Sequence, residues 1–283
     1  MLPSPYFELL ALISESGLGL LPAVLKSVDT DVKTSVLVKI LVSLTIPLLF
    51  VTETDVKALT TFSLQNLLHY GFLGALSYGT ISLAYYGYKE LPTDMSVSVV
   101  KSYPIALLFI AIFFLGHEQP IFYFPFFITA YIFMLYILRP KEHIIEKFKN
   151  MDDSKKKTKL WALGALFSSM ILSTTFYIFK QKGIDSHETN LIRTNIGSLL
   201  TSLGYFFSTG TTPDLRKEVW IKLLIFNVFV GFVIQKFHST AVSKTPIVYY
   251  GTFMFIGAIL AYYIKEYLPS LTSCECADFK KQE

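Results

Sequence analysis

Long apolar runs separated by short polar links set the pattern of this chain. They predict nine helices, over about 6–25, 35–52, 66–87, 95–116, 120–138, 160–179, 190–208, 219–235 and 243–264. About 20 apolar residues in helical form cross the ~30 Å hydrocarbon core of a bilayer. In that solvent each backbone N–H and C=O must be satisfied within the helix, so a run of this kind is read as α-helix. One link is long. The segment RPKEHIIEKFKNMDDSKKKTK at 139–159 divides the chain into a first five-helix unit, 1–138, and a second four-helix unit with a short polar tail, 160–283.

Inside the fourth run the pattern breaks. Val99-Val100-Lys101-Ser102-Tyr103-Pro104 puts an ammonium group well inside a segment that is otherwise apolar to Gly116. Insertion scales give a lysine at such a depth a penalty of about 2.5–3.5 kcal/mol, so its charge calls for a cavity or a partner. The motif has an echo, Val242-Ser243-Lys244-Thr245-Pro246, at the head of the ninth run. A second echo is a spacing: Lys26 precedes Lys39 by 13 residues, and Lys180 precedes Arg193 by 13. Two copies of a five-helix unit, an odd number, lie upside down to one another. Inverted repeats with a site at the midplane are a transporter pattern. The second copy has four helices here, and the expected tenth is missing.

Composition narrows the class. The chain is 52% hydrophobic and 16% charged, against about 25% charged in soluble domains. The fold class expected is an all-α, multi-pass integral membrane protein. Charge sets its orientation. Seventeen lysines and arginines lie on the side that carries Lys26, Lys89, the 139–159 loop and Arg216, and four, Lys57, Lys180, Lys182 and Lys236, on the other. The positive-inside rule makes the first side cytosolic, together with the C-terminus. The net charge of +4 leaves no basic face for nucleic acid. Two cysteines, Cys274 and Cys276, exclude a disulfide framework, and five scattered histidines give no metal-ligand spacing. Phosphate loops and serine elbows are absent, so no catalytic residues, no cofactor and no enzyme activity are expected.

The segments Tyr85-Tyr86-Gly87-Tyr88-Lys89-Glu90-Leu91-Pro92, Val100-Lys101-Ser102-Tyr103-Pro104 and Leu115-Gly116-His117-Glu118 resemble the drug/metabolite transporter superfamily. The last is similar to the turn after helix four in its EamA-type members. Val-Val-Lys-Ser before a proline resembles the triose-phosphate and nucleotide-sugar translocator branch. The resemblance implies ten helices in two inverted repeats, alternating access, and a lysine on helix four and a basic residue on helix nine that bind an anion. On this chain those positions are Lys101 and Lys244.

Candidate site residues follow from both lines. Lys101 and Lys244 repel in a low-dielectric cavity unless an anion lies between them. Ser102, Tyr103, Ser243 and Thr245 offer hydroxyl groups beside them, and Tyr78 offers a ring to stack on a sugar or base. Glu15, in Ile13-Ser14-Glu15-Ser16-Gly17, is an intramembrane carboxylate that either couples a proton or neutralises a lysine. A Glu15–Lys101 pair explains both residues without an anionic substrate. The expectation is a secondary-active transporter, antiporter or ion-coupled, for a small anionic metabolite such as a sugar phosphate or nucleotide sugar. The alternatives are an EamA-type exporter of amino acids or other small metabolites, and a non-transporting membrane scaffold that keeps the fold. The partners expected are a small-molecule substrate and the lipid bilayer, with a homodimer as one arrangement. Lys280-Lys281-Gln282-Glu283 resembles a dilysine retrieval signal, which in a eukaryote places the protein in the endoplasmic reticulum or Golgi membrane.

Overall fold

The computed structural model describes residues 5–49, 51–61, 63–90, 93–114, 116, 118–138, a few positions between 160 and 171, 187–229, 237, 241 and 245–267. Their regular structure is helical, with no strand among the described residues. Twelve α-helices occur there in order: α1 Pro5–Gly19, α2 Leu21–Ser27, α3 Val32–Leu48, α4 Glu53–Thr60, α5 Leu64–Leu68, α6 Gly74–Glu90, α7 Thr93–Val100, α8 Tyr103–Phe113, α9 Phe124–Ile137, α10 His187–Thr209, α11 Lys217–Val228 and α12 Ile247–Tyr267. A π-helical turn, His69–Leu73, leads into α6.

Proline explains two of the interruptions. Pro22 lies in the first turn of α2, where its missing N–H leaves no intrahelical bond unmade, so the apolar run kinks at Leu20 without ending. Pro104 does the same between α7 and α8. Lys101 N–H still reaches Val97 O at 2.8 Å, but Ser102 N–H bonds Val99 O at 3.2 Å, one residue tighter. The fourth run is therefore two half-helices with Lys101 at their junction. α3 starts where Asp31 caps it, accepting from Thr34 N–H at 2.8 Å.

Two described segments are long and apolar enough to cross a membrane: Tyr6–Ser27, which joins α1 and α2, and Ile247–Tyr267. At 22 and 21 residues they measure about 32 Å at helical rise. The segments Val97–Phe113 and Ile121–Ile137 are apolar but shorter. The nine runs expected from the sequence are not all of this kind. α3 has 17 residues and carries Lys39, and α10 has 23 but carries Arg193 and Asn195.

Helix α12 is the central post. It packs on α1, α8 and α9, and Phe127, Met134, Val248 and Phe255 form the core between them. Helix α10 packs on α3 and α6, and α11 on α3. The closest crossing lies between α6 and α10. A Cβ on Gly197 would collide with the Tyr70 carbonyl oxygen, and one on Gly74 with the Gly197 backbone. Ser198 Oγ uses this approach to donate to Gly74 O at 3.0 Å. Small residues that admit backbone contact are the usual means of joining helices in lipid.

Candidate functional site

Glu15 lies on α1 where that helix presses on α12, and it is 1% exposed. Gly257 makes the approach: a Cβ there would meet Glu15 Cβ at 2.6 Å. Lys101, 5% exposed, enters from the junction of α7 and α8. Its Nζ forms an ion pair with Glu15 Oε2. The second carboxylate oxygen, Oε1, accepts from the hydroxyl of Tyr250 on α12. Tyr250 and Gly257 are seven residues apart, so they share one face of the helix and both address Glu15. Tyr88 of α6 and Tyr103 of α8 lie within electrostatic reach of the same carboxylate. Side chains from α1, α12 and the α7–α8 junction thus meet at one buried carboxylate, which one ammonium and one phenol contact directly.

The chemistry of this cluster follows from its burial. Moving either charge alone out of water carries a penalty of several kcal/mol, which the opposite charge offsets only with good geometry and further hydrogen bonds. Here Tyr250 supplies such a bond. The pair is neutral as a whole.

The residues expected from the sequence divide into three groups. Glu15, Lys101 and Tyr103 are brought together. Ser102 lies beside them but is engaged elsewhere: its Oγ donates to Ser98 O at 2.7 Å and stands 3.3 Å from the Tyr131 hydroxyl. Thr245 turns its hydroxyl back to its own chain, donating to Ala241 O at 2.7 Å. Tyr78 packs on the apolar cluster of α2, α3 and α6 that also holds Tyr85 and Tyr88, away from Glu15 and Lys101 in the contacts it makes. Lys33 Nζ sits 4.3 Å from the centre of the Tyr205 ring. Lys244 and Ser243 lie outside the described residues, as do the 139–159 loop, most of 160–186 and the 268–283 tail.

Tyr250 and Tyr88 are not among the residues expected from the sequence. A sequence signal for Tyr250 exists, since it lies one turn after Pro246 on the face of the small residues Gly257 and Ala261. Tyr88 carries no comparable mark among the tyrosines of its run. Among the described residues no group of three His, Cys, Asp or Glu side chains is placed to hold a metal ion. No family model matches the sequence, and comparison with curated proteins gave no match.

Proposed function

We propose that the chain is a polytopic secondary transporter of the drug/metabolite type, moving a small organic metabolite by alternating access. The buried Glu15–Lys101–Tyr250 cluster at a break in a helix carries this reading. Intramembrane ionisable groups at broken helices are the usual form of a transporter's substrate site.

Two further observations support it. Several polar side chains lie inside while large apolar ones lie on the surface. Ser14, Glu15, Ser35, Lys101, Arg193, Asn195 and Ser198 are buried, while Phe109, Phe113, Phe126, Ile132, Phe133 and Phe207 are exposed. That arrangement suits lipid around the outside. Four helix pairings are compatible with a pseudo-twofold relation between runs one to four and runs six to nine, while those of α12 with α1 and with α9 have no described counterpart. Such an operation exchanges the pairing of the third and seventh runs, α6 with α10, for that of the eighth and second, α11 with α3. It maps the second–seventh and fourth–ninth pairings, α3 with α10 and α8 with α12, onto themselves, and all four pairings are present.

The substrate carries a carboxylate or phosphate that takes the place of Glu15 on Lys101. Glu15 keeps the ammonium satisfied when no substrate is bound and returns to it after release. On this reading Lys244 supports the anion from the pseudo-equivalent position. The second reading, export of amino acids or similar metabolites, draws on the same pair, because a zwitterion matches both charges. The nine-span topology, the cytosolic 139–159 loop and an endoplasmic-reticulum or Golgi location belong to the proposal.

The test is uptake into proteoliposomes of a panel of sugar phosphates, nucleotide sugars and amino acids. Lys101→Ala abolishes uptake of the best substrate under either reading. Glu15→Gln separates them: an anion still binds Lys101 and turnover fails, whereas a zwitterion loses binding as well. Unchanged uptake by Lys101→Ala would refute the role given to the cluster, and no uptake of any member would favour the scaffold.

A further inference from the structure

A second polar assembly closes the end of the molecule that bears Lys26, Lys89 and Arg216. Asp214, in the link between α10 and α11, is its hub. Its carboxylate accepts from Arg216 Nη2 at 2.7 Å and from Thr30 Oγ1 at 2.9 Å. Its N–H donates to Thr34 Oγ1 at 2.9 Å, and that hydroxyl in turn donates to Asp31 Oδ2 at 2.6 Å. Trp220 Nε1 donates to Asp214 O at 2.5 Å. Arg216 reaches across to Asp29, through the carboxylate at 3.4 Å and through the carbonyl. From α6, Lys89 Nζ donates to Val28 O at 3.3 Å and to Thr30 O. The link between α2 and α3 is thus pinned to the link between α10 and α11, about 180 residues away in sequence, and to the end of α6.

Resting on the transporter reading above, we propose that this assembly is a reversible gate over the route to Glu15, held closed in the present conformation. Three observations carry it. The clasp joins the first repeat to the second at one end of the molecule, which is where alternating access needs a breakable contact. Its outer arm is solvated charge: the side chains of Arg216 and Asp29 are 57% and 91% exposed, while the hub, Asp214, is 18% exposed. Exposed ion pairs are individually weak, so the Arg216–Asp29 arm releases first, and full opening also parts Val28 from Val219 and Leu223. Finally, it is joined to the helices that lead to the site. Lys89, which holds the 28–30 backbone, follows Tyr88 on α6, and Tyr88 packs with Leu21 and Leu25 of α2. Glu15 itself lies 14 residues before Asp29, about 20 Å down α1 and α2 at helical rise.

The experiment uses the full chain in sealed vesicles with the clasp facing outward. Cys274 and Cys276 are replaced by serine, and Ser14→Cys, beside Glu15, serves as the reporter. The reading is the rate of labelling by a membrane-impermeant maleimide. Arg216→Ala removes the clasp's contacts to both Asp214 and Asp29 and speeds labelling about tenfold, by shifting the open–closed equilibrium. Asp29→Asn, which removes only the 3.4 Å ion pair, gives a smaller rise and serves if Arg216→Ala fails to fold. In Thr30→Cys/Asp214→Cys, with Ser14 restored, a short bifunctional thiol reagent arrests opening and stops uptake until reduced. Unchanged labelling in folded Arg216→Ala and Asp29→Asn overturns the gate whatever the uptake assay gives. Faster labelling in a protein that transports nothing keeps the gate and removes the transport reading.

Discussion

The Glu15–Lys101 pair offers the most demanding test of the physical reasoning. Both side chains are nearly sealed, at 1% and 6% exposure, so the surface value of about 0–1 kcal/mol for an ion pair does not apply. Removing one partner of a buried pair leaves an uncompensated charge and destabilises by about 3–5 kcal/mol. Lys101→Met and Glu15→Gln each therefore lower stability by that amount. The double variant behaves differently. With both charges gone no orphan remains, and the new amide oxygen at position 15 still accepts from Tyr250. Replacing a buried pair by neutral residues of similar volume is often neutral, so the double variant loses no more than either single. The departure from additivity is then at least about 3 kcal/mol, well beyond the scatter of about 0.3–0.5 kcal/mol between independent sites. The assay is thermal unfolding in detergent, read by fluorescence-detected size exclusion at one pH. A double variant whose loss equals the sum of the singles would refute the argument. So would single losses below about 1 kcal/mol, which would mean that water reaches the pair.

Three other outcomes follow from particular contacts. Tyr250→Phe removes a hydrogen bond to a charged acceptor and lowers stability by about 1.5–3 kcal/mol in the same unfolding assay. Gly197→Ala drives a Cβ against the Tyr70 carbonyl, which is backbone and unable to turn aside; it lowers stability by about 1–3 kcal/mol or more, while Gly79→Ala, with nothing within 4 Å, is neutral or gains up to about 1 kcal/mol. The clasp is insensitive to pH in the physiological range. Arg216, by hydrogen bond and charge, holds the Asp214 carboxyl below the usual carboxylate range, so its contribution is complete above the unfolded-state value of about 4 and is lost only as pH falls through the lower folded-state value. The ratio of Ser14→Cys labelling rates between Arg216→Ala and the intact clasp at matched pH, in which the thiolate fraction cancels, is therefore flat from about pH 5 to 8.

Much of this molecule was decided by the sequence. Apolar runs demand helices once water is excluded, and Pro104 demands a break in the fourth of them. A lysine at that break demands a partner, because a lone ammonium in an apolar span is too costly to keep. These are local statements, and residue order is enough to make them. The identity of the partner is not local. Lys244 and Glu15 both stood as residues for Lys101 to meet, the first across an anion and the second directly. The packing of α1 on α12 through Gly257 brings the carboxylate of Glu15 to Lys101. Tyr250, 235 residues from Glu15, joins them for the same reason. Tyr78 shows the converse: its mid-run position suits a central site, yet it packs on the apolar cluster of α2, α3 and α6 instead. The clasp of Asp29, Thr30, Asp214 and Arg216 also belongs to tertiary structure. Each of its residues is ordinary loop chemistry, and only the docking of the α2–α3 link on the α10–α11 link sets them within hydrogen-bond reach. Residue order says which groups are expensive to leave alone; the helix crossings, set by a few glycines, decide which of them meet.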